Sequence, residues 1–140
     1  LSVSASGMSA QRYRTELLAQ NIANSETTRT EEGGFYRRQD AVFQSATVTH
    51  PFSSAFQSST EAPVTGVAIS EVQIDDRDPI KRYLPGHPDA DEKGYVSFPN
   101  FSPIEEMADL MNANRSFGAN VTAMNAVKDM ISKSIDLMRG

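Results

Sequence analysis

The chain contains no cysteine and no tryptophan, and only 8% of its 140 residues are aromatic. Without cysteine there can be no disulfide, no thiolate nucleophile and no Cys-type zinc site, although the compartment stays open. No apolar run approaches the ~20 residues needed to span a bilayer. No charged, apolar, small-residue leader opens the chain either, so the reading is a soluble protein without a visible cleaved signal. Basic residues are also scarce: 13 Lys and Arg stand against 18 Asp and Glu, a net charge of −5, which removes any general attraction for nucleic acid or an anionic membrane. The two histidines, His50 and His87, lie in no Ser/His/Asp arrangement and at no zinc-ligand spacing, and no glycine loop is built to cradle phosphate. No enzyme, cofactor or metal site is expected.

What is present is helix. Leu110, Phe117, Met124, Ile131 and Met138 recur every seven positions, with Met107, Asn114, Val121, Lys128 and Ile135 as the expected companion column. Asn114 would then fix register, and Lys128 would lay its stem on the seam. Ser102, Pro103 and Glu105 form a capping-box signature with Pro at the first helical position, in which the Ser side chain bonds back to the Glu backbone. A helix from Pro103 to Arg139 would be about 55 Å long, longer than a small domain is wide. It needs partners.

The first partner is the other end of the chain. Leu1 to about Asn24 reads as a second helix with two apolar stripes, one of Leu1, Ala5, Met8, Ala19 and Ile22, the other of Val3, Ala10, Tyr13 and Leu17. Ser4, Ser6, Gly7 and Ser9 allow close approach of a neighbour. A single folded-back helix covers one stripe, so the other is expected to meet a different chain.

Between the helices, β structure is expected over Phe35–Phe43, Val64–Ile74, Ile80–Leu84 and Tyr95–Phe98. Val67 and Ile69 are in one phase and Val72 and Ile74 in the other, which predicts a bulge. The Ser/Thr-rich stretch 44–63 reads as a flexible loop or an arm that orders on contact. Asp89, Asp91 and Gly94 fit the first, third and sixth places of a calcium loop, but Lys93 and Asn100 occupy later ligand positions, so a turn held by Asx hydrogen bonds is the better reading. Arg12, Arg14, Arg29, Arg37 and Arg38 tint the first part of the chain basic, and are expected to pair with Glu105, Glu106 and Asp109 of other subunits.

Several stretches carry a resemblance. Ala5-Ser6-Gly7-Met8-Ser9-Ala10-Gln11-Arg12, Asn21-Ile22-Ala23-Asn24 and Thr27-Thr28-Arg29-Thr30 resemble the opening of the flagellar axial proteins. Gly33-Gly34-Phe35-Tyr36-Arg37-Arg38, Pro85-Gly86-His87-Pro88-Asp89-Ala90-Asp91 and Gly94-Tyr95-Val96 follow in that family's order, as do Glu105-Glu106-Met107, Ala113-Asn114-Arg115-Ser116-Phe117 and Ala119-Asn120-Val121-Thr122-Ala123-Met124-Asn125. The Thr-Thr-Arg-Thr and Pro-Gly-His-Pro-Asp stretches narrow the resemblance to proteins of the proximal basal-body rod. The chain starts at Leu1, where such proteins carry a few more residues, so a trimmed start is expected.

The resemblance implies an α+β fold in which helices 1–28 and 102–140 pair as a coiled coil, with a β-rich domain, 29–101, inserted between them. It implies a structural, torque-transmitting subunit of the periplasmic flagellar rod. Its partners would be its own copies, neighbouring rod proteins and, during secretion, the flagellar type III export apparatus. The subunit contacts are expected at Met8, Leu18, Ile22, Leu110, Phe117, Val121, Met124 and Ile131. The rival expectation is a secreted binding module or metal-dependent domain carried by the β region, with the helices as a stalk.

Overall fold

The structure, a computed structural model, describes residues 1–47 and 65–140. Two helices, α1 (Ser2–Ala23) and α2 (Pro103–Arg139), bracket two hairpins. β1 (Gln39–Thr47) pairs antiparallel with β2 (Thr65–Ile74), and β3 (Ile80–Tyr83) pairs antiparallel with β4 (Tyr95–Phe98). The α+β architecture with paired terminal helices is thus present, with the β region divided into two separate two-stranded sheets.

The helices run antiparallel. Gly7 faces Asn120 near one end of the contact, and Asn21 bonds to Glu106 at the other. The step from Gly7 to Asn21 equals the step from Glu106 to Asn120, so the two helices stay in register between these points. α1 runs out near Val127, and roughly three turns of α2 continue beyond it.

The seam differs from the expected one. Met107, Asn114, Lys128 and Ile135 are exposed, and of that companion column only Val121 is half-buried. The inward column sits one position earlier, at Glu106, Ala113, Asn120 and Val127, alternating with Leu110, Phe117 and Met124. Both columns satisfy heptad spacing against Leu110 and Phe117. Close approach decides between them: Gly7 has no side chain, Ala113 only a methyl, and Glu106 is drawn inward by hydrogen bonds. Asn114 and Lys128 therefore point to solvent and do not set register.

The second face of α1 is partly covered within the chain: Ala10 and Leu17 are buried, while Val3 and Tyr13 are exposed at 43% and 39%. Among the described elements, the β1–β2 hairpin packs on α1, and Ser6, Ser9, Ala10 and Tyr13 form a groove with Val67, Ala68 and Ile69. Ser6 Oγ donates to the Val3 carbonyl at 2.8 Å and accepts the Val67 N–H at 3.1 Å, joining helix and strand. A sheet lies over part of this stripe, and Val3 and Tyr13 stay open for contact with another chain.

Other expectations shift in bounds. Residues 35–38 precede the ladder rather than join it, since Tyr36 N–H donates to Thr27 O and the pairing begins at Gln39 opposite Ile74. The strand then runs to Thr47, so residues 44–47 of the expected flexible stretch are ordered β structure, while 48–63 lie outside the described residues. The bulge is there: Val42 opposes Glu71 and Phe43 opposes Ile69, leaving Ser70 extra, its hydroxyl donating to Val42 O at 3.1 Å. α2 begins at Pro103 behind Ser102, yet the Ser102 side chain makes no cap hydrogen bond, so the expected box with Glu105 does not form; the Ser102 carbonyl takes the Glu106 N–H at 3.2 Å.

Candidate assembly surface and polar junction

Only six apolar residues are buried among the described ones: Ala10, Leu17, Leu18, Ala113, and, in the second hairpin, Val96 and Phe98. Against this thin core, α2 exposes a long set of large apolar side chains. Ile131 and Met138 continue the seam beyond the end of α1, with exposed Ile135 beside them. Ile104, Met107 and Met111, exposed at 77%, 49% and 68%, form a stripe turned more than a third of the way round the helix from the buried face. Met130 and Leu137 add another flank. One α1 cannot lie on all of these faces, and contiguous exposed apolar surface of this kind marks a place where proteins meet.

The expected contact residues fall into three groups. Leu18 is 1% exposed and serves the inside of the chain. Met8, Ile22, Leu110, Val121 and Met124 are half-buried. Phe117 and Ile131 are exposed. They occupy the helix pair and its continuation, and the structure does not gather them into one patch.

At the base of the helix pair lies a polar cluster that apolar patterning missed. Asn21, fully buried, uses every hydrogen-bonding capacity of its side chain. Its Nδ2 donates to Gln39 O and to Glu106 Oε2, both at 2.8 Å. Its Oδ1 accepts from Gln39 N at 3.0 Å and from the Tyr36 hydroxyl at 2.9 Å. Glu106, itself buried, receives Arg38 Nε on its other oxygen. Burial, and then the charge of Glu106, push the Tyr36 phenol above its ordinary 10.0. For Arg38, burial pulls downward, but the hydrogen bond and charge of Glu106 and the charges of Asp40 and Asp109 leave the guanidinium more firmly protonated than usual. The only sequence signal for this cluster was a pair of polar residues at heptad-compatible positions on opposite helices.

The other arginines of this basic stretch also contact neighbours within the chain. Arg12 bonds to Glu16, Arg14 lies over Phe43, Arg37 over Phe35, and Arg29 pairs with Asp89. Thr28 Oγ1 also donates to Asp89, at 2.7 Å, so the Thr-Thr-Arg-Thr and Pro-Gly-His-Pro-Asp stretches meet. Asp91 Oδ1 accepts the N–H groups of Lys93 and Tyr95 at 2.9 Å, giving the expected Asx turn, and these bonds hold the Asp91 carboxyl below its ordinary range. Among the described residues, no three His, Cys, Asp or Glu side chains converge as a metal site, and no helix is long and apolar enough to cross a membrane.

Paired terminal helices, an α2 with apolar faces left open and small hairpins held to one side describe an α+β chain with surface suited to contact with other proteins. Residues 1–29 match the family described as flagella basal body rod protein, and residues 92–137 match the flagellar basal body rod FlgEFG protein C-terminal family. The chain is 41% identical to the flagellar basal-body rod protein FlgC of Bacillus subtilis over 98% of its own length and 95% of that protein. It is 36% identical to FlgC of Borreliella burgdorferi, covering 100% of this chain and 96% of the relative. With FlgC of Escherichia coli the identity is 35%, covering 96% and 92%. The chain belongs to the FlgC family of flagellar basal-body rod proteins. It is a structural subunit whose place is the basal-body rod, and the rival reading as a binding module or metal-dependent domain finds no support among these relatives.

Proposed function

We propose that the subunit polymerises through its terminal helices, with 1–28 and 102–140 forming an inner layer around the export channel and 29–101 an outer layer, to make a drive shaft that carries torque. Its function is mechanical, with no catalysis. Its partners are further copies of itself and neighbouring rod proteins, and it reaches the rod through the flagellar type III export apparatus. The observation that carries this reading is the apolar surface of α2, above all Ile104, Met107 and Met111, which lies away from α1 and stays open in a single copy. Met8, Ile22, Leu110, Phe117, Val121, Met124 and Ile131 supply contacts along the helices, while Leu18 holds the pair together from within. Many repeated contacts of this type give stiffness that no single one provides.

The test uses Met111→Glu and Ile131→Glu in the full chain. Both positions are exposed, so the unassembled subunit should keep its melting behaviour. Incorporation into basal bodies and swimming should fall sharply. Wild-type incorporation by both variants would rule out assembly through this helix.

A further inference from the structure

Two parts of the molecule lack any direct packing contact. Among the described elements, α2 packs on α1 alone, and the β1–β2 hairpin likewise packs on α1 alone. They are nevertheless joined at one place. Glu106 of α2 holds Arg38, the residue before β1, and shares Asn21 with the backbone of Gln39, the first residue of β1.

The geometry of this junction is reciprocal. Asn21 mimics a neighbouring strand toward Gln39, giving an N–H to its carbonyl and taking its N–H, while its second amide hydrogen goes to Glu106. Tyr36 closes the remaining lone pair. If α2 leaves, Asn21 loses the acceptor of one amide hydrogen and Arg38 its buried counter-charge, keeping only half-exposed Asp40 at 3.5 Å, so the start of β1 is held less tightly. If the start of β1 leaves, Glu106 is a buried carboxylate without its cation. Neither half is comfortable without the other, which is the condition for coupling between separate elements.

We propose that the cluster of Asn21, Tyr36, Arg38 and Glu106 is a conformational interlock: docking of the base of α2 on α1 fixes the seat of the β1–β2 hairpin, and seating of the hairpin reciprocally tightens the base of α2. The hairpin is thereby placed only in chains whose terminal helices are paired. The interlock acts within one copy and stands independently of how copies assemble.

Backbone amide exchange on the full, unassembled chain tests it, with the β3–β4 hairpin as internal reference. The readout is exchange over residues 36–42 and 71–75 divided by exchange over 80–83 and 95–98, because general loss of structure moves both hairpins alike. Glu106→Ala should raise this ratio at least tenfold, and Glu106→Gln, which keeps an acceptor for Asn21 but no charge for Arg38, by a smaller factor. In the reverse direction, Arg38→Ala should speed exchange at 106–110 at least threefold relative to 117–124. A hairpin ratio that stays at the parental value in both Glu106 variants overturns the interlock. So does an Arg38→Ala effect confined to residues 36–42. Failure of rod assembly would leave these ratios untouched, so the two readings fail separately.

Discussion

Asn21 and Glu106, separated by 85 positions in the chain, meet through a 2.8 Å hydrogen bond buried at the base of the helix pair. Asn21→Ala removes this bond and three others, leaving the Gln39 backbone and Glu106 short of partners. The expected loss is on the order of 3 kcal/mol. Asn21→Asp should be worse, since it sets a second carboxylate against Glu106. Denaturant unfolding followed by circular dichroism measures both.

Alkaline pH should weaken the same junction through Tyr36. Its phenol is raised in the folded chain by burial and by Glu106, so the folded state favours the protonated form. The associated stability is fully present below the unfolded value of 10.0 and is lost as pH rises through the higher folded value. Tyr36→Phe should be less stable at neutral pH, having lost its bond to Asn21, but should show a flatter decline above about pH 10. Thermal melts from pH 8 to 11 provide the comparison.

Gly7 separates two effects of side-chain size. An added Cβ would lie 3.2 Å from the amide end of the Asn120 side chain, which can turn aside. Gly7→Ala should therefore be neutral or stabilising by up to about 1 kcal/mol through helix propensity. Gly7→Leu has no such room and should cost about 1–3 kcal/mol by forcing α1 from α2.

Gly94 is stricter. It sits at φ +82°, and a Cβ there would come within 2.9 Å of the Tyr83 ring and 3.1 Å of Pro85. Gly94→Ala should destabilise the β3–β4 hairpin by about 1–3 kcal/mol, whereas Gly33→Ala, at φ +87° in open space, bears only the backbone strain. Exchange protection over 80–98 should drop in the first and hold in the second.

Features governed by local pattern were legible before any coordinates. The span Pro103–Arg139 follows from Ser102-Pro103 and the seven-residue recurrence, and the extra residue at Ser70 follows from the switch of phase between Ile69 and Val72. The inward column of α2 was not legible, since Met107 and Glu106 fit heptad spacing equally well and apolarity favours the wrong one. Only the absence of bulk at Gly7, the methyl of Ala113 and the bonds of Asn21 select Glu106. The polar junction was hidden for the same reason: its members are hydrophilic, and their burial depends on geometry contributed by three distant segments. Likewise, no periodicity in α1 can say whether a helix or a hairpin will lie on its second stripe.

Because the β1–β2 hairpin rests on α1 and not on α2, the two helices are not mechanically equivalent. A sideways shear on the hairpin loads α1 along its flank, and reaches α2 through the close contact at Gly7, the bonded anchor at Asn21 and the Arg38–Glu106 pair at the hairpin's root. α1 is then the lever that bears the strain, and α2 the shaft to which it is pinned at both ends.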